Sequence, residues 1–168
     1  MKKNVPDASG PIRLPLVLAS VVLVSAVAYF FALPAYQDYQ VRQKVAEVFV
    51  AADACRAQVS QIVQRTSAPV LSSALFACDG GASAGAKISR HLKSIAVRPA
   101  GAITVTLDYL SLLELTPTTS TLTLIPLADA NNVLGTGDAR KTIFAWRCGS
   151  PKDGTTIPSK YLPADCRG

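Results

Sequence analysis

A run of twenty residues without a charge, Leu14–Leu33, constrains this chain more than any other part of its sequence. At about 1.5 Å per residue, a helix of this length matches a hydrocarbon core about 30 Å thick. Three basic residues precede the run, namely Lys2, Lys3 and Arg13, and the first charge after it is Asp38. Basic flanks stay in the cytoplasm. We therefore predict a single pass through the inner membrane, with the N-terminus inside and the remaining chain outside.

A cleaved secretory signal is the alternative interpretation of the same run. The small residues Ala26-Val27-Ala28 are typical of a signal peptidase site. The apolar run continues beyond them through Tyr29–Leu33, however, and cleavage there would leave an apolar tail on the product. A retained membrane helix is therefore the favoured interpretation.

A second helical pattern follows the apolar run. Pro34, which lacks an N–H, is expected to kink or end a continuing helix. Beyond it, apolar residues recur at spacings of three and four, which places them on one helical stripe. The stripe consists of Val41, Val45, Val48, Ala52, Cys55, Val59 and Ile62. So narrow a stripe needs a sheet or another helix to cover it.

Strand patterns begin only after a connection rich in serine, alanine and glycine, residues 67–86. Four segments alternate or are rich in β-formers, namely 92–98, 102–108, 121–127 and 141–147. Ile103, Val105 and Leu107 are predicted to share one face. Short strands without helices between them indicate an antiparallel sheet. Residues 109–116 are ambiguous between a fifth strand and a short helix. The predicted fold is α+β, with a long N-terminal helix packed on a four-stranded antiparallel sheet.

The four cysteines, Cys55, Cys78, Cys148 and Cys166, suggest disulfide bonds. An even number beyond a membrane segment is typical of an oxidising compartment. Three connectivities are possible, and pairing of neighbours along the chain, Cys55–Cys78 and Cys148–Cys166, is favoured. No CxxC spacing is present and His91 is the sole histidine, which argues against a zinc site.

Three common enzyme motifs are absent from the sequence. It contains no GxGxxG, P-loop or HExxH pattern. His91 has no cysteine nucleophile to activate once both disulfides form, so we expect an exposed or edge residue there. The net charge of +6 is spread along the chain without a basic run. We predict no catalytic residue, no cofactor and no metal.

Three features together resemble the type IV pilin family. A short basic leader ending in Gly10 precedes the apolar run, and LPAYQDYQVR, residues 33–42, follows it. WRC, residues 146–148, and KYLPADCR, residues 160–167, bracket the C-terminal segment. The resemblance covers nearly the whole chain. It implies a leader (1–10), a transmembrane and filament-core helix (11–34) and a globular head domain (35–168), whose C-terminal loop is closed by Cys148–Cys166.

The resemblance also implies processing by a prepilin peptidase between Gly10 and Pro11, followed by methylation of the new N-terminus. This cleavage region is atypical. The family has a glutamate five positions past the cut, where this chain has Pro15, and no acidic residue lies between Asp7 and Asp38.

The function implied is that of a structural subunit of a type IV pilus filament, serving adhesion, surface motility and DNA uptake. Its partners would be further copies of the chain, the peptidase and assembly machinery, the inner membrane, and a host surface or DNA. Assembly would carry it from the inner membrane into an extracellular filament. The expected surface contacts in the C-terminal loop are Lys152, Lys160 and Arg167. Alternatives are a minor or tip pilin, a type II secretion pseudopilin, or a membrane-anchored periplasmic binding module.

Overall fold

The computed structural model of the chain describes residues 13–78, 89–112 and 115–167. The chain divides into two compact units, Met1–Tyr39 and Gln40–Gly168. We call the second unit the head. One α-helix, α1 (Arg13–Arg65), begins in the first unit and ends in the head. Pro34 lies inside α1 rather than at its end, so one missing N–H does not end a helix whose other backbone groups remain paired.

The half of α1 within the head buries one stripe of side chains. The buried positions are Val41, Val45, Val48, Ala51, Ala52, Cys55, Val59 and Val63. The predicted stripe is therefore correct from Val41 to Val59 but wrong at its last position, because Ile62 is only half-buried and Val63 is buried instead. Alternating spacings of three and four average 3.5 residues, whereas an α-helix turns every 3.6, so the buried face drifts forward along the sequence.

The sheet contains four antiparallel strands in the order of the sequence. They are β1 (Leu92–Val97), β2 (Ile103–Leu107), β3 (Thr121–Leu127) and β4 (Ala145–Cys148). Consecutive strands pair with each other, as expected for a meander without intervening helices. This confirms the predicted fold class, a long helix packed on a four-stranded antiparallel sheet.

One face of the sheet supplies the other half of the core. On β2, Ile103, Val105 and Leu107 are fully buried while the intervening threonines are half-exposed. Ile95 of β1 pairs with Val105, and Leu124 of β3 pairs with Ile103, so the buried faces of the strands coincide. The alternation predicted for β2 is thereby confirmed.

The fourth strand is shorter than predicted. It begins at Ala145 rather than at Lys141, because the backbone at the predicted start bonds elsewhere. The backbone N–H of Arg140 donates to the carbonyl of Val63 near the end of α1, at 2.8 Å, and that of Lys141 donates to the carbonyl of Asp138. The β-forming residues of segment 141–147 therefore predict a longer strand than the structure has.

The two regions left open by the sequence contain short 3₁₀ turns. Tyr109–Ser111 forms one such turn within the ambiguous segment, and Ser73–Leu75 forms another within the connection after α1. Residues 79–88 and 113–114 lie outside the described part of the chain.

A close approach between the β1–β2 turn and α1 sets how tightly helix and sheet pack. Gly101 has a φ of +84°, and a Cβ on it would lie 2.8 Å from Cγ1 of Val59. The neighbouring N–H of Ala100 donates to the carbonyl of Leu71, at 3.2 Å. Only glycine combines this left-handed backbone with so short a distance to the helix.

We expect Val45→Ala to lower the free energy of unfolding by about 2 kcal/mol, because it removes two buried methyl groups and leaves a cavity. Val45 is 1% exposed. Denaturant unfolding of the full chain in detergent, followed by the fluorescence of the sole tryptophan, Trp146, measures the change.

Val50→Ala on the opposite face of the same helix is the matched control. Val50 is 70% exposed, so its replacement should change the unfolding free energy by less than about 0.5 kcal/mol. Equal effects of the two variants would contradict the assignment of the buried stripe.

Candidate functional site

The first candidate surface is the apolar half of α1. Its large side chains are 40% to 76% exposed. They are Val17, Leu18, Val21, Val22, Leu23, Val24, Val27, Tyr29, Phe30, Phe31 and Leu33. The most apolar 18-residue window of the helix has a mean hydropathy of 2.3, and none of it is buried. By length and composition the helix can cross a membrane, and so large an apolar surface requires lipid or other apolar helices around it.

The two serine hydroxyl groups within this surface are satisfied by the helix itself. Ser20 Oγ donates to the carbonyl of Val17 at 2.8 Å, and Ser25 Oγ donates to that of Val22 at 2.9 Å. Such bonds let hydroxyl groups enter apolar surroundings without loss of a partner. The serines therefore do not oppose transfer of this half-helix into a water-free environment.

Two disulfides cross-link the head. Cys55 of α1 bonds to Cys78, and Cys148 at the end of β4 bonds to Cys166. This is the pairing of neighbours that the sequence favours. The first attaches the connection after α1 to the helix, and the second attaches the C-terminal end of the chain to the sheet. Closing loops of these lengths is worth about 3 kcal/mol each in the chain-entropy model.

The loop between Cys148 and Cys166, which we call the C-terminal loop, continues the sheet beside β3. Since β4 pairs with β3 only from Leu124 onward, the first residues of β3 lack that neighbour. The loop takes its place, with Thr156 N–H donating to the carbonyl of Thr121 at 2.8 Å. The hydroxyl groups of Thr155 and Thr123 lie 2.7 Å apart and are buried.

Apolar side chains of the C-terminal loop complete the core, which sequence reasoning missed. Ile157, Tyr161 and Leu162 are at most 4% exposed. They stand between prolines and polar residues without strand or helix periodicity. The sequence signal for their burial was residue type, because they are large apolar residues in an otherwise polar segment.

The closure of the C-terminal loop depends on Gly149. Its φ is +79°, and a Cβ there would overlap the carbonyl oxygen of Cys166. The backbone beside the disulfide is therefore packed so closely that no side chain fits.

An ion pair stiffens the start of the C-terminal loop. Arg147 Nε and Nη2 donate to the two carboxylate oxygens of Asp153 at 2.7 and 2.8 Å. Hydrogen bonding to Asp153, followed by its electrostatic attraction, raises the pKa of Arg147 above its usual value. Because this ion pair is exposed, it contributes little to the free energy of folding. Its bidentate geometry instead fixes the orientation of the start of the loop.

The three predicted surface cations, Lys152, Lys160 and Arg167, are all exposed. Lys160 Nζ lies 4.5 Å from the ring centroid of Tyr161, and Arg167 Nε donates to the carbonyl of Leu162 at 3.2 Å. Two of the predicted cations thus make contacts with residues of the C-terminal loop.

Arg42 also belongs to this site. The sequence predicted only that it lies outside the buried stripe of α1. Its Nε donates to the backbone carbonyl of Lys160 at 2.8 Å, across 118 residues of sequence. No periodic pattern links positions so far apart.

His91 is half-buried and bonded, with Nδ1 2.8 Å from Ser111 Oγ. That hydroxyl donates its single proton to the carbonyl of Asp108, so His91 Nδ1 carries the proton and donates it. The serine is therefore not activated as a nucleophile. Within the described ranges, no group of three or more His, Cys, Asp or Glu side chains could hold a metal ion. The predicted cleavage pair, Gly10 and Pro11, lies outside those ranges.

Comparisons with known proteins agree with this architecture. The model of the family described as "Pilin (bacterial filament)" matches residues 41–167. The fimbrial protein EcpC of Eikenella corrodens is 27% identical over 169 residues, spanning 99% of this chain and 94% of that protein. A crystal structure of the type IV pilin of Pseudomonas aeruginosa strain Pa110594 matches with a TM-score of 0.54 at 21% identity. It covers 76% of this chain and 97% of the other, so the fold is shared.

Gly149→Ala should lower the free energy of unfolding by about 2–4 kcal/mol, through backbone strain at positive φ and the contact with Cys166. It should also leave a larger share of free thiols. Unfolding followed by Trp146 fluorescence and titration of thiols measure both effects.

Gly137→Ala is the matched control, because a Cβ at Gly137 would meet nothing within 4 Å. If Gly149→Ala is as stable and as fully oxidised as this control, the close packing assigned to the disulfide is wrong.

Proposed function

Because this chain belongs to the pilin family of bacterial filament proteins, we propose that it is a structural subunit of a type IV pilus. It is held in the inner membrane by a single pass before assembly and forms an extracellular filament with further copies of itself afterwards. Adhesion, surface motility and DNA uptake are the activities of such a filament. No catalytic step is required of the subunit.

One observation carries this proposal: an exposed, uncharged half-helix is continuous with a half that buries one face in the head. A helix satisfies its backbone hydrogen bonds internally, so it tolerates lipid and a bundle of other apolar helices equally well. Exchanging lipid for neighbouring subunits therefore costs little. Repeating the same head-to-tail contact generates an open helical polymer.

Processing belongs to the same proposal. The peptidase removes residues 1–10, so that residues 11–34 enter the filament core and residues 35–168 form its surface. Pro15 stands where the family's glutamate would meet the N-terminal amine of a neighbour. Docking of this subunit then relies on apolar contacts rather than on that charge pair. The same departure favours the second candidate function, a minor or tip pilin.

Val24→Asp should abolish filaments and reduce the amount of chain in the membrane. A carboxylate near the middle of a membrane helix costs about 3 kcal/mol, and an unpaired charge in a helix bundle is costly too. Electron microscopy of filaments sheared from cells and blots of the membrane fraction measure the two effects.

Val133→Asp is the control for the added charge, because Val133 is 51% exposed in the head. Normal filament numbers in Val24→Asp cells would refute the proposed role of the half-helix. In unaltered filaments, mass spectrometry should find a chain that starts at Pro11, and a start at Met1 or Tyr29 would exclude the proposed processing.

We further propose that the C-terminal loop presents its cations to DNA or to an anionic surface. Lys152 and Arg167 are exposed on the closed scaffold described above. Each cation that contacts a phosphate releases counterions, so binding weakens as salt rises.

Lys152→Ala combined with Arg167→Ala should weaken DNA binding by purified filaments and lower its salt dependence. Fluorescence anisotropy with labelled duplex DNA at several salt concentrations measures both. Lys93→Ala combined with Arg90→Ala removes two exposed positive charges outside the loop and is the control. Equal losses in the two double variants would point to overall charge rather than to the loop.

A further inference from the structure

The two ends of the α1 segment within the head are held in different ways. Near its C-terminal end, Cys55 is covalently bound to Cys78, and the carbonyl of Val63 accepts a backbone N–H at 2.8 Å. At the other end, the first two turns, Val41–Val48, are called the helix entry below. There, the side chains of Arg42 and Lys44 donate hydrogen bonds to segments remote in sequence.

The two bonds of the helix entry reach different segments. Arg42 Nε donates to the carbonyl of Lys160 in the C-terminal loop at 2.8 Å. Lys44 Nζ donates to the carbonyl of Ser111, in the turn after β2, at 3.2 Å. Both acceptors are backbone groups, so the position of the main chain decides whether each bond exists.

The carbonyl of Lys160 is held in place by the closed loop. It belongs to the 3₁₀ turn Ser159–Tyr161, whose last residue is 3% exposed. Leu162, which follows it, is 2% exposed, and Cys166 of the disulfide is fully buried. The acceptor for Arg42 is therefore positioned by the core and by Cys148–Cys166 together.

From this arrangement we infer that the C-terminal loop acts as a clasp on the helix entry. The closed disulfide presents the Lys160 carbonyl, Arg42 binds it, and the first two turns of α1 in the head stay in place. Because the chain is covalently continuous, any pull on the residues before Gln40 reaches the head first at the helix entry. The loop thus serves the mechanical integrity of the subunit in addition to any surface contact.

Hydrogen–deuterium exchange of the full chain in detergent micelles tests the clasp. Peptides covering the helix entry, residues 55–63 and β3 are compared in the unaltered chain, in Arg42→Ala and in the double variant Cys148→Ser/Cys166→Ser. We expect exchange in the helix entry to become about three to ten times faster in Arg42→Ala, as for loss of one solvent-exposed hydrogen bond of ordinary net strength. Exchange in residues 55–63 should be unchanged in Arg42→Ala, and the double cysteine variant should accelerate the helix entry more than residues 55–63.

Lys152→Ala is the matched control, because it removes an exposed charge of the same sign from the loop without altering the Lys160 carbonyl. It should leave exchange in the helix entry unchanged. Unchanged exchange in Arg42→Ala, an equal effect of Lys152→Ala, or a uniform increase over all three peptides in both altered chains would overturn the clasp. Filament counts in the same variants test only the proposed function as a pilus subunit. The clasp and the proposed function can therefore be refuted independently.

Discussion

The structure depends on a single helix meeting two different environments along its length. Between Val17 and Leu33 its large side chains are apolar and exposed, whereas in the head only one stripe, from Val41 to Val63, is buried. The backbone is the same in both, because a helix satisfies its own hydrogen bonds wherever it lies. The side chains alone therefore decide which part of the helix belongs in lipid or a filament core and which part belongs under a sheet.

The head fits this helix through a continuous hydrophobic core and through close backbone contacts. Four short strands cover the buried stripe, and Gly101 lets the β1–β2 turn approach Val59 more closely than a side chain would allow. Two disulfides then fix the segments that lack regular structure. The C-terminal loop extends the sheet beside β3 and fills the core with three buried apolar residues. A segment without periodicity thereby becomes a structural part of the domain.

Periodicity accounts for the elements that could be predicted from the sequence. The buried stripe of α1 and the alternation in β2 depend on neighbours a few residues apart, so their patterns are local. The end of the stripe at Val63 and the late start of β4 were not predicted. The first follows from the 3.6-residue turn of the helix. The second follows from the bonds of Arg140 and Lys141 to the carbonyls of Val63 and Asp138, which direct these two residues away from β3.

By itself, the sequence determined that the chain has a membrane-length helix, an amphipathic continuation, an antiparallel meander and cysteines suited to two local cross-links. These are consequences of residue type and short-range spacing. Only the tertiary structure decided that Arg42 binds the Lys160 carbonyl, that Gly149 lies against Cys166, and that Ile157, Tyr161 and Leu162 are buried. Such contacts join residues remote in sequence or lacking a period, so they exist only once the helix and sheet have brought the segments together.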